Sequence, residues 1–166
     1  MFKRKKERTI TEQINKKLKG DMQKNALDFI AFMKENDILP DKPDGNCYSC
    51  NDAFVCVLCV YPDGKKIGWS IFIGSYDCAL CCEENQAYPI DDELKAFAWS
   101  HVSTCGHFSS GGKHCGCGGQ PGKSIKLFGR EFHNICTSIL CIRNAEGEEL
   151  EKAKRLAIVW KQSNGG

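Results

Sequence analysis

The chain predicts an α+β fold: an antiparallel sheet of about four strands packed with an N-terminal, a central and a C-terminal helix. Three observations carry this. Apolar residues recur at near-fourfold spacing from Ile10 to Met33 and again in Leu150, Leu156, Val159 and Trp160, which is helical periodicity. Two Val- and Ile-rich runs, Ala53–Tyr61 and Ile67–Ile73, flank Pro62-Asp63-Gly64, a turn signal, and read as a strand pair. The alternation of helices with paired strands, and the lack of any regular βαβ repeat, favours an antiparallel sheet with helices packed on it.

The elements follow in order. Thr9-x-x-Glu12 fits a capping box at the start of the first helix. Ile10, Ile14, Leu18, Met22, Ala26, Ile30 and Met33 then share one slowly drifting face, with Gly20 as a point where this helix divides in two. Pro40 and the Pro43-Asp44-Gly45 turn end the segment. In the second strand, Ile67, Trp69, Ile71 and Ile73 fall on one face. Gly68, Ser70 and Gly74 fall on the other, where a helix or ligand can approach closely.

Asp91-Asp92-Glu93 sets carboxylates at the positive end of a central helix, and Leu94, Phe97, Ala98, His101 and Val102 give it an apolar stripe. Lys123–Phe128 and Thr137–Ile142 are further strands, with Gly129 between them. Glu146–Lys161 closes the pattern as an amphipathic helix, with Glu148/Lys152 and Glu151/Arg155 as i,i+4 ion pairs.

At 166 residues the chain has the size of one domain, 9–166, preceded by a basic tail at 1–8. Residues 1–24 carry a net charge of +6 and the rest −4, which recovers the total of +2. The tail lacks the aromatic interleaving or recognition motif of a nucleic-acid binder, so a solvated terminus is expected there. The longest apolar run, Ala53–Tyr61, has nine residues, too few for the roughly 20 that span a bilayer. No apolar segment follows the basic tail, so secretory export is not expected. The partner expected is a small molecule or a protein, with no nucleic acid and no membrane.

The abnormal feature is twelve cysteines. Without an export signal, and with 42% hydrophobic residues to build a core, they read as reduced cytosolic thiols and not as a disulfide framework. Three of them, with two histidines, fall between Cys105 and Cys117, in a glycine-rich stretch without apolar periodicity. Ordering such a loop costs about 1–2 kcal/mol per residue in backbone entropy, which a tetrahedral zinc ion can offset. Cys115-Gly-Cys117 and Cys105-Gly-His107 each present two donors across a glycine. The expected structural zinc site is therefore Cys105, His107, Cys115 and Cys117, with His114 in reserve. The alternatives are a flexible loop with exposed thiols, or ligation that involves a distant partner such as His133 or Cys136. An iron–sulfur cluster would want four cysteines, and the loop has three.

The other motifs weigh less. Gly122-Lys123-Ser124 matches the end of a phosphate loop, but the opening glycine is replaced by Cys117 and a strand follows where a helix is needed. Cys47, Cys50, Cys78 and Cys81 form a candidate second zinc site. Cys56, Cys136, Cys141 and His101 read as packing residues, and His133 as an ordinary surface or loop histidine. No His-Glu-x-x-His or Gly-x-Ser-x-Gly motif is present, so no residue is assigned a catalytic role. The function expected is a zinc-binding module; the alternative is a thiol-based redox protein or cysteine-dependent enzyme using the 105–117 loop.

Overall fold

The computed structural model describes residues 9–43, 45–63, 66–75, 89–104 and 122–164. They form a mixed α+β structure: four helices and a seven-stranded antiparallel sheet. The helices are α1 (Ile10–Lys17), α2 (Gly20–Glu35), α3 (Asp92–Ser100) and α4 (Gly147–Asn164). The strands are β1 (Leu39–Pro40), β2 (Cys47–Cys50), β3 (Ala53–Asp63), β4 (Lys66–Ser75), β5 (Val102–Thr104), β6 (Lys123–Leu127) and β7 (Arg130–Arg143).

The sheet is larger than the four strands expected. The additional strands β1, β2 and β5 are two to four residues long, too short to display the period of two by which strands are read. The N-terminal helix does divide at Gly20. The capping box forms, with Thr9 Oγ1 accepting from Glu12 N at 3.1 Å and Glu12 Oε2 accepting from Thr9 N at 3.2 Å. Leu18 and Lys19 then turn extended, and Gly20 takes a φ of +59°, which glycine adopts without a Cβ penalty.

The strands run in the order β1-β2-β3-β4-β7-β5, with β6 also on β7. Leu140 pairs with both Ile73 and Val102, and Ile135 with both Thr104 and Lys123. A strand residue has one neighbour on each side, so β5 lines one edge of β7 while β4 and β6 share the other. β6 and β7 are joined by Phe128-Gly129, both at positive φ (47° and 84°), the two-residue turn whose twist suits a hairpin.

One sheet face carries Tyr48, Cys56, Leu58, Trp69, Ile71, Ile73, Leu140 and Ile142, all buried. Val55 is skipped in the β2–β3 register, and this bulge accounts for Val55 and Cys56 both being fully buried although adjacent. Ile10, Ile14, Ala26, Phe29 and Met33 of α1 and α2, with Leu18 between them, complete the core with Leu150, Ala153, Leu156, Ala157 and Trp160 of α4. Phe29 lies against Trp69 with ring centroids 6.3 Å apart.

The glycine face of β4 is indeed approached closely. A β-carbon on Gly68 would lie 2.8 Å from Asn144 Oδ1, the atom that accepts from Trp69 N at 2.9 Å. Helix pairing differs in part from the spacing rule. Glu148 meets Lys152 at 2.9 Å as expected. Glu151 instead meets Lys154 at 2.7 Å, because Arg155 is taken by the Asp91 carboxylate of the α3 cap. Among the described residues, no helix is long and apolar enough to cross a membrane.

Candidate functional site

Cys105, His107, His114, Cys115 and Cys117 lie outside the described residues, as do Cys78, Cys81 and Cys82. The segment that bears the expected metal donors is nevertheless bounded by two described strand residues. Thr104 ends β5 and Lys123 begins β6, and the two face Ile135 from opposite sides. Strands stand about 4.8 Å apart, so the two ends are held about 10 Å from each other. The eighteen residues 105–122 must therefore leave and return at one place on the sheet. Gly122 makes that return tight: a β-carbon there would come within 2.6 Å of Asn134 C. Asn134 itself takes a φ of +55°, at the point where the β6–β7 register shifts.

Next to this point stands His133. Its Nδ1 is 2.9 Å from Ser124 Oγ, and its Nε2 is 4.0 Å from Glu131 Oε1, with both side chains about two-thirds exposed (67% and 68%). The hairpin explains the meeting. With Phe128-Gly129 as its turn, position 124 comes opposite 133, and Lys126 pairs with Glu131. Residues at every second position share a face, so Ser124, Glu131 and His133 point one way while buried Ile125 and Leu127 point the other. His133 is thus a surface histidine, as expected, carried by a strand and not by a loop. The signal that could have found its partner is the symmetry of Ser124 and His133 about Phe128-Gly129.

The described cysteines divide by face. Cys47, Val57, Phe72 and Cys141 form one row across four strands, and Cys59 pairs with Ser70 in the next. These three cysteines are on the sheet face away from the buried row. The Asn46 amide lies between two of them, with Cys47 Sγ 3.9 Å from Oδ1 and Nδ2 3.9 Å from Cys59 Sγ. Cys50, three residues beyond Cys47, falls on the opposite face and packs against the core. The pair proposed for a second zinc site is thus split between faces. Among the described residues, no group of three or more His, Cys, Asp or Glu side chains converges as a metal-ligand set.

Cys56 is a core residue, its Sγ 3.7 Å from Met33 Sδ. Burial, with Cys47 nearby, pushes its thiol far above the ordinary range. Burial also raises Cys47 and Cys59, with Asp41 adding to the shift at Cys47. Thiolates are disfavoured at all three, the reverse of what a nucleophilic cysteine needs. His101 caps α3, with Nδ1 2.8 Å from Phe97 O, and is a packing histidine.

The helix layer holds a groove of about 410 Å³ between α2, α3 and α4. Phe32, Leu94 and Ile158 give it an apolar wall, and Lys154 and Arg155 stand among its polar groups. Both cations already have carboxylate partners: Asp28 and Glu151 at 2.7 Å for Lys154, and Asp91 for Arg155. Among the described residues, both cations of the groove are thus already neutralised by carboxylates. Comparison of the chain with protein-family models, curated proteins and solved structures found no match.

Proposed function

We propose that this protein is a zinc-binding module whose structural ion is held by the 105–117 loop through Cys105, His107, Cys115 and Cys117. One observation supports the reading above the others: Thr104 and Lys123 are pinned across Ile135, while residues 105–117 between them carry three cysteines and two histidines without apolar periodicity. A segment closed at its base and without apolar periodicity in its sequence gains order from an internal cross-link. Three thiolates and one imidazole complete a tetrahedral zinc shell and leave no position for substrate water, which makes the role structural.

Elemental analysis of the untagged protein, purified without chelator, tests this beside a Cys115→Ser/Cys117→Ser variant. About one zinc per chain, lost in the variant, is the expected result. A metal-free wild type overturns it and favours the thiol-based redox reading. That second reading would rest on the loop cysteines, because burial disfavours the thiolates of Cys47, Cys56 and Cys59.

A further inference from the structure

We propose that the groove between α2, α3 and α4 is a binding site for a small organic cation, an amine carried on an apolar body of one or two rings. Three features of the groove carry the assignment. The first is that it is held open. Its volume of about 410 Å³ falls within the range of ligand sites, about 300–1,000 Å³. Phe32, Ile90, Leu94 and Ile158 wall it. Packed helices ordinarily close over such side chains, because an open cleft forfeits their contacts. Here ion pairs at the rim fix the spacing. Asp28 and Lys154 tie α2 to α4 at 2.7 Å, Glu93 and Lys152 tie α3 to α4 at 2.7 Å, and Asp91 ties the α3 cap to Arg155. A site shaped before its ligand arrives needs less ordering to fill.

The second is charge. Lys154 is shared by two carboxylates, Asp28 and Glu151, each at 2.7 Å, and Arg155 is taken by Asp91. Three carboxylates thus meet two cations, and the surplus is negative. Glu151 is the carboxylate with room for another partner: it lines the groove and its side chain is 65% exposed. An anionic ligand would have to draw Lys154 or Arg155 away from its carboxylates. An ammonium group supplies the missing counter-charge instead.

The third is the wall itself. The Phe32 ring already carries the Lys154 ammonium 5.5 Å from its centroid, within the reach of about 6 Å over which an aromatic face attracts a cation. An amine entering beside Glu151 meets the same ring, while its carbon body lies on Leu94 and Ile158. At about 30 Å³ per water-sized atom, the groove holds about a dozen non-hydrogen atoms, the size of a naphthalene with one short substituent.

The test titrates the full chain with three probes of one shape: 1-naphthylmethylamine, which is cationic, 1-naphthalenemethanol, which is neutral, and 1-naphthoate, which is anionic. Binding is read at pH 7 and low salt from the methyl NMR signals of Leu94 and Ile158. The amine is expected to shift both saturably and to bind about threefold more tightly than the alcohol, the scale of an exposed ion pair. The anion should bind more weakly than the alcohol, and about 1 M sodium chloride should erase the preference for the amine. Glu151→Gln should bring the amine down to the alcohol and leave the alcohol unchanged. Ile158→Trp, which fills the groove, should weaken the amine at least about tenfold, with circular dichroism as the check on folding.

No saturable shift at Leu94 or Ile158 with the amine, an alcohol or anion that binds as tightly as the amine, or a Glu151→Gln chain that keeps the preference would each overturn the proposal. Zinc content enters none of these readouts, so such a failure leaves the zinc reading intact.

Discussion

Gly74 lies directly beneath the indole of Trp160: a β-carbon at Gly74 would come within 2.5 Å of both Cε2 and Nε1. The contact joins β4 to α4, and Gly74 also takes a φ of +79°, a conformation that costs other residues about 1–2 kcal/mol. Overpacking adds about 1–3 kcal/mol. Gly74→Ala should therefore destabilise the protein by about 2–5 kcal/mol in urea unfolding. Trimming the ring, as in Gly74→Ala/Trp160→Leu, should cost less than the sum of the two single changes. Strict additivity would show that the indole does not set the penalty.

Lys154 is 9% exposed and bridges α2 to α4 through Asp28. Burial works against its charge, but the Asp28 and Glu151 carboxylates outweigh it and hold the ammonium above its usual range. Its contribution is therefore complete below the unfolded value of about 10.4, and is lost as pH rises through the higher folded value. Lys154→Met should cost about 1.5–3 kcal/mol at pH 7. The difference from wild type should shrink in unfolding curves taken between pH 9 and 12. A difference constant over that range would assign the loss to packing on Phe32, which lies 5.5 Å from the ammonium.

Asp91 caps α3 by accepting from Leu94 N at 2.8 Å and also pairs with Arg155. The Leu94 N–H, and then the Arg155 guanidinium, hold its carboxyl below the usual carboxylate range. Its stabilising effect is present above about pH 3.9 and is lost as pH falls through the lower folded value. Asp91→Ala should lower Tm at pH 7 and match wild type near pH 2. Asp91→Asn should fall between the two at pH 7, because the amide still caps the helix but does not pair with Arg155.

Cys56 should resist maleimide at pH 8 until the protein unfolds, since its side chain is fully buried and its thiol is pushed far up. Its labelling rate across a urea series should track global unfolding. Fast labelling in native buffer would reveal local opening between β3 and α2.

If zinc holds the 105–117 loop, chelation should expose Lys113 to trypsin while α4 stays resistant. Mass spectrometry of the fragments should then show a cut after Lys113 only in chelated protein. Equal cleavage with and without metal would count against a structural ion.

The long elements were legible because each has enough residues to show a period. Ile10, Ile14, Leu18, Ala26 and Met33 are buried as their spacing predicts, and Phe29 joins them at i+3 from Ala26. Trp69, Ile71 and Ile73 are likewise fully buried on one face, whereas Ile67, at the start of that face, is 43% exposed. β1, β2 and β5 were not legible, since their pairing depends on the neighbouring strand and not on their own pattern. The donor types and glycines of residues 105–117 marked a candidate metal site in the sequence. The anchorage of that segment was not legible, because Thr104, Lys123 and Ile135 are ordinary residues until register brings them together.

Local pattern alone established the α+β class, the Thr9 cap and the division at Gly20. These depend on residues within a turn or two of one another. Which carboxylate takes Arg155, which face Cys47, Cys50, Cys56, Cys59 and Cys141 occupy, and that His133 rests on Ser124 were decided by packing and strand register. These contacts join residues far apart in the chain or on different strands. A side chain's partner there depends on where whole elements dock, and one shifted residue in a strand reverses the face it presents.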